Sequence, residues 1–304
     1  MPKRPKPRAK SAAPASASSP ARILLGQNNY GKSRVRMVKV SRTGKIHTVR
    51  EFSIDIALQG DFEHIHTRGD NAHCLPTDTM KNTVYALGKK HTFDTIEEFA
   101  ALLCTHFLKG HAPASSATVS ITEITWKRVH TRAREHPHCF LKGSDERRTC
   151  IVHMNRTGVD IASGIEGLVI LKSTDSAFAG YPRDGYTTLP ETHDRVFCTS
   201  MTAFWGCGFS AKPRADYGSL RESVRELLIQ TFAEHKSESV QHTLYAMGET
   251  VLKSCAPIRN IRLSMPNKHY NLANLKPFGM TNNNEIFIPT DEPHGLIEAT
   301  IQRK

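Results

Sequence analysis

The sequence predicts an α+β fold made of two tandem units on antiparallel sheets, with helices packed on one face. Three observations carry that prediction. Apolar residues alternate with a period of two at separated places, as in Ile54, Ile56 and Leu58 and again in Ile261, Leu263 and Met265. Apolar residues recur at helical spacing in two other places, Ile96, Phe99, Leu103 and Phe107, then Val240, Leu244, Met247 and Val251. The order of strands, two helices and strands then occurs twice along the chain.

The first unit is expected over residues 23–155. Its opening strands are Arg34 to Arg42 and Val49 to Gln59, and its return strands are about Thr118 to Val129 and Cys139 to His153. Between them a helical pair is expected, with Asp94 and Glu97 reading as a cap ahead of the Ile96 stripe. The second unit, residues 156–304, opens with Gly167 to Thr174 and Val196 to Phe204. There Ser219 and Glu222 form a capping-box pattern at the head of one helix, and the Val240 stripe marks the core face of the next.

Residues 1–22 stand apart. They contain six Lys or Arg and no acid, in a background of Pro, Ala and Ser too poor in apolar residues to form a core, so a disordered tail is expected. The tail also supplies half of the formal net charge of +12. The remaining body holds 35 basic and 29 acidic residues with no basic cluster interleaved with aromatics, so nucleic-acid binding is not expected of it.

No apolar run approaches the ~20 residues that span a bilayer, and residues 1–20 lack the apolar stretch of a secretory signal. The seven cysteines are odd in number and never form a C-x-x-C pair, which speaks against a disulfide framework or a thiolate zinc site and suits a reducing cytoplasm. A G-x-G-x-x-G after a strand, a Walker loop and H-E-x-x-H are all absent, which removes the usual carriers of dinucleotide, nucleotide and zincin chemistry. One histidine patch, His136-Pro137-His138 with His130 nearby, lacks the helical spacing that sets two imidazoles on one face, and no metal site is assigned to it.

Several short polar strings interrupt the strand and helix text: Tyr30-Gly31-Lys32, Thr77 to Thr83, Leu171 to Phe178, Glu191 to Arg195, Ser239-Val240-Gln241 and Pro266 to Tyr270. Singly, none identifies a function. Together and in this order, with the longer strings Lys81 to Tyr85 and Leu171 to Ser176, they resemble the urate oxidases of the tunnelling-fold (T-fold) enzymes, from Tyr30 through the stretch Pro289 to Leu296.

The resemblance implies two T-fold repeats per chain, an oligomeric barrel, and a cofactor-free oxidation of urate by dioxygen in a homotetramer whose active sites lie between subunits. It places Arg195 and Gln241 as the pair that grips urate edge-on and Phe178 as the ring stacked under the purine. Lys32, Thr77 and His269 match the proton-relay positions, and Asn267 the amide that holds water or dioxygen above the ring. Main-chain groups of Asp78 and Val240 match further urate contacts, and Thr77 is counted among the urate-binding positions as well. Lys32, Thr77 and Asp78 are implied to reach each site from a neighbouring subunit.

Two stretches, Met201 to Lys212 and Leu272 to Asn284, match less clearly and receive no role. The ending Ile301-Gln302-Arg303-Lys304 lacks an S-K-L-like address, which favours a cytoplasmic enzyme. Two other readings stay open at this point: a zinc-dependent T-fold enzyme of pterin metabolism, which needs a histidine triad, and a basic nucleic-acid-binding protein resting on the tail.

Overall fold

A computed structural model describes residues 23–132, 134–210 and 216–304. The tail expected at residues 1–22, and Lys212 with the four residues around it, lie outside the described residues. Among the described residues eight strands, β1 (Tyr30–Thr43), β2 (Ile46–Gly60), β3 (Ala114–His130), β4 (Glu135–Asn155), β5 (Val159–Lys172), β6 (Phe197–Gly206), β7 (Asn260–Leu272) and β8 (Phe287–Gln302), pair in chain order. Every pairing is antiparallel. The sheet is therefore single and continuous, because β4 and β5 pair directly, with Met154 opposite Val159. Asn155 closes that turn, its Oδ1 accepting from the backbone N–H of Thr157 at 2.8 Å and of Gly158 at 3.0 Å.

Helices α1 (Glu63–Arg68), α2 (Thr77–Lys90) and α3 (Ile96–Gly110) lie between β2 and β3, and α4 (Tyr217–Glu234) and α5 (Val240–Ser254) between β6 and β7. The alternation seen in the sequence becomes one buried face. The register carries a row from Val35 through Ile54, Ile121, Cys150, Ser163, Trp205 and Ile261 to Ile301. All but the half-buried Ile301 are buried. Several residues of the other parity, among them Ile151, Val169 and Leu171, are exposed.

Buried apolar residues divide into two clusters, one drawn from Val35 to Ile161 with Tyr217, the other from Ile165 to Met265. Both helical stripes face these cores: Ile96, Phe99, Leu103 and Phe107 in α3, and Val240, Leu244, Met247 and Val251 in α5. Helix α5 lies so close to β8 that a Cβ on Gly248 would come within 2.6 Å of Ile301 Cδ1.

Two helix starts differ from the sequence expectation. The cap of α3 is Thr95, not Asp94, and its partner is Glu98, not Glu97. Thr95 Oγ1 accepts from Glu98 N at 3.3 Å and Glu98 Oε2 from Thr95 N at 3.1 Å, a complete capping box one residue later than expected. Glu97 turns inward instead, where its carboxylate accepts from Ser163 Oγ at 2.5 Å and burial pushes its pKa up. Helix α4 begins at Tyr217 on an Asp216 cap that accepts from Ser219 N, so Ser219 is a donor inside the first turn and not the cap. Glu222 has left that box to pair with Arg221 and, at 3.2 Å, Arg148. On the same helix Arg225 makes a two-pronged contact with Glu146 of β4, both at 2.7 Å, and buried Arg221 lies 4.0 Å from that carboxylate.

Candidate active site

The loop between β5 and β6, residues 173–196, folds back on itself because its two limbs hydrogen-bond. Phe178 N donates to Thr192 O at 2.8 Å and Thr192 N to Phe178 O at 3.0 Å. Thr174 Oγ1 donates to Asp194 Oδ1 at 2.9 Å. These contacts bring Phe178 beside Arg195, whose guanidinium carbon lies 5.6 Å from the Phe178 ring centroid. The start of the loop is also pinned from outside, Ser237 N donating to Asp175 O at 2.9 Å and Ala177 N to Ser237 O at 2.7 Å. Asp175 takes φ 57° to make that approach.

Beyond the loop, β6 and β7 pair with Thr199 opposite Asn267, and β7 pairs with β8 with His269 opposite Thr290. A register shift between Asn267 and His269 re-aims this stretch. A cavity of about 370 Å³ results, with Phe178, Arg195, Asn267 and His269 in its lining. Arg195 Nε is buried and lacks a hydrogen-bond partner, and burial lowers the guanidinium's pKa. A half-buried cation whose buried Nε is an unused donor favours an anionic or hydrogen-bond-accepting ligand, since an unpaired buried polar group is costly.

Val240 and Gln241 do not line this cavity. They form the first turn of α5, where Ser239 Oγ caps His242 N at 3.1 Å. The N–H groups of a helix's first turn have no partner within the helix and sit at its positive end. The Ser237 contacts tie the segment just before that turn to the Phe178 loop.

Lys32, Thr77 and Asp78 lie elsewhere. Lys32 sits on β1 opposite Ile56, at the edge of a register shift between Lys32 and Val35. At Gly31 a Cβ would collide with Ile56 O, and at Arg34 the backbone takes φ 55° with its N–H on Asp55 Oδ1 at 2.9 Å. Thr77 opens α2 behind a Pro76 cap that supplies no side-chain acceptor. The Asp78 carboxylate is held below the usual range first by its Lys81 hydrogen bond and charge, then by Asn82 and by the charge of Lys32. Strand β1 is five strands from β6, roughly 25 Å at the usual spacing, so one chain does not bring Lys32 and Thr77 to the Arg195 cavity by neighbouring strands.

Sequence patterns assign no role to Leu272 to Asn284, yet Leu272 and Asn284 line the cavity. They also pass over Leu189 and Pro190 in the same lining. The signal for these residues is the doubled-back loop, which no local pattern announces. Met201 of the other unassigned stretch is a buried core residue of β6. Among the described residues no group of three or more His, Cys, Asp or Glu is arranged to hold a metal ion. The histidine patch forms ring contacts instead, His136 with His138 at 4.6 Å and His138 with His47 at 5.7 Å.

Comparison with known proteins gives a consistent result. The family model described as Uricase matches residues 28–153 and 161–298. The uricase of Arthrobacter globiformis is 43% identical over 292 residues, covering 96% of this chain and 94% of that protein. The uricase of Aspergillus flavus is 37% identical, covering 90% and 95%. Among solved structures, the Arthrobacter globiformis uricase superposes with a TM-score of 0.87 at 43% identity, covering 93% of this chain and 96% of that one. A Bacillus fastidious uricase at 22% identity and TM-score 0.76 shares the fold.

Proposed function

The chain belongs to the uricase family and is a urate oxidase, and from that premise we propose that its active site is completed between two copies of the chain. The enzyme converts urate, dioxygen and water to 5-hydroxyisourate and hydrogen peroxide. The zinc-dependent and nucleic-acid-binding alternatives are not favoured by these matches. No helix among the described residues is long and apolar enough to cross a membrane.

The observation that carries the assignment of the site is the buried, unpartnered Arg195 Nε beside Phe178 in a cavity that also holds Asn267 and His269. Urate near neutral pH is a planar anion with acceptors and donors around its rim. Arg195 offers a planar fork of donors to one edge, and Gln241 both donates and accepts at another. The Phe178 ring stacks on the purine face, worth about 0.5–1.5 kcal/mol beyond its area. The main chain of Val240, at the positive end of α5, adds a contact that suits negative charge.

Lys32, Thr77 and Asp78 belong to the other wall and are contributed by a neighbouring subunit. Their separation from Arg195 across the sheet supports that placement, as does the exposed face of the sheet, which suits closure into an oligomeric barrel. Each chain of the homotetramer would then contribute two repeats, residues 23–155 and 156–304, to that barrel. At the shared site Thr77 binds the urate rim, and the Thr77 hydroxyl relays a proton between urate and Lys32. His269 completes the relay, and Asn267 holds dioxygen and then water over the ring. The urate dianion is electron-rich enough to pass two electrons to dioxygen, so the chain's work is orientation and proton transfer, without flavin or metal. The setting we propose is the cytoplasm.

The experiment is direct. Chelated, metal-depleted protein in air should remove urate's near-ultraviolet absorbance and release one peroxide per urate. Activity that is lost on chelation and returns with zinc or copper would overturn the cofactor-free reading.

A further inference from the structure

The β5–β6 loop holds a second aromatic ring with no part in the urate contacts. Tyr181 lies against Phe178 with ring centroids 4.8 Å apart and planes within 16° of parallel. Its hydroxyl donates to Leu189 O at 2.6 Å, and Leu189 is part of the cavity wall. Tyr181 itself does not line the cavity. Between the two rings Gly180 takes φ 73°, a left-handed turn that glycine adopts without strain, and its N–H donates to Glu191 Oε1 at 3.1 Å. The limbs of the loop are thus joined by three successive rungs: the Phe178–Thr192 backbone pair, Gly180 to Glu191, and Tyr181 to Leu189.

We propose that Tyr181 is a positioning residue for the substrate-stacking ring, holding Phe178 in its binding orientation through the ring stack and fixing the stack to the cavity wall through its hydroxyl. The inference rests on the reading of Phe178 as the ring under urate. A half-buried phenylalanine at the mouth of a loop has rotamers to lose when a ligand lands on it. A parallel ring clamped against one face removes those alternatives before the ligand arrives, and preorganisation of that kind strengthens binding without a new contact. Because Tyr181 does not reach the reacting atoms, its effect should appear in affinity and not in the chemical step.

The test is a double-mutant cycle read in two ways: urate binding by equilibrium dialysis without oxygen, and steady-state KM and kcat in air. Tyr181→Leu should raise the urate Kd and KM by about three- to ten-fold, with kcat within about two-fold of wild type. Tyr181→Phe keeps the stack and loses the anchor, and should recover most of the affinity. In a Phe178→Ala background Tyr181→Leu should change nothing further, because the ring it positions is gone. If Tyr181→Leu does not fold, Tyr181→Met, which likewise removes the ring, takes its place in the same cycle and is read in the same way. A Tyr181 effect of equal size with and without Phe178, or wild-type affinity in the Tyr181 variants while Phe178→Ala binds weakly, would overturn the proposal. Wild-type affinity in Phe178→Ala itself would instead sink the underlying assignment of the stacking ring.

Discussion

Replacing Arg195 with alanine should separate binding from stability, because the structure gives this guanidinium no structural partner at Nε while placing it in the cavity wall. If its fork makes two charge-assisted hydrogen bonds to the urate rim, each worth about 1.5–3 kcal/mol net, their loss weakens binding by roughly 3–6 kcal/mol. That corresponds to a KM and Kd about 10² to 10⁴ times higher. Stability should move the other way or hardly at all. Removing a half-buried cation with an unused, buried donor at Nε relieves a desolvation cost, offset by about 0.5–1 kcal/mol of lost cation–π contact with Phe178, 5.6 Å away. Ligand-free Arg195→Ala should therefore unfold within about 1 kcal/mol of wild type. Arg195→Lys should recover little affinity, since an ammonium cannot reproduce the planar fork. The assay pairs urea unfolding of ligand-free protein with anaerobic urate binding. Unchanged urate affinity together with a stability loss above about 2 kcal/mol would make Arg195 a structural residue and refute the reasoning.

Three further outcomes follow from the same geometry. Lys32→Met should lower kcat far more than it raises KM, since a proton-relay group acts in the transition state, and an effect confined to KM would remove Lys32 from the relay. Glu97→Gln keeps the volume beside Ser163 but cannot ionise. Burial raises the Glu97 pKa above its ordinary 4.5, so wild-type stability falls as pH rises through and beyond that value. The variant's stability relative to wild type should accordingly climb from pH 4 to pH 7, which urea midpoints at both values will check. Glu146→Ala strips the carboxylate from Arg225 and leaves buried Arg221 without its 4.0 Å neighbour, so it should cost about 2–4 kcal/mol in urea unfolding. The exposed pair of Glu249 and Lys253 is the control, where Glu249→Ala should cost about 0.5 kcal/mol or less.

The core is legible in the sequence because burial on one face leaves a period. Ile54, Ile56 and Leu58 and the α5 stripe can be placed without knowing what lies opposite them. The α3 cap is placed one residue early because two overlapping frames, Asp94/Glu97 and Thr95/Glu98, satisfy the same pattern. Only the Ser163 hydroxyl, 66 positions away in sequence, decides that Glu97 turns inward. Strand β8 is not evident in the sequence. Pro289, Pro293 and Gly295 read locally as breaks, and its pairing with β7 at the sheet's edge is what makes it a strand. The site divides in the same way. Its residues are found through the order of the polar strings, whereas the cavity depends on contacts such as Ser237 to Asp175 and Phe178 to Thr192 that no local signal encodes.

The central claim, that two chains complete each site, is tested most directly by mixing two inactive variants. A Thr77→Ala chain and an Arg195→Ala chain are damaged on opposite walls of a shared site. Co-expressed with different affinity tags and purified through both, they form mixed oligomers. With random association, about a quarter of the sites combine an intact Thr77 wall with an intact Arg195 wall, and about a quarter of wild-type urate oxidation should return. Mixed oligomers that remain as inactive as either parent would contradict the intersubunit site.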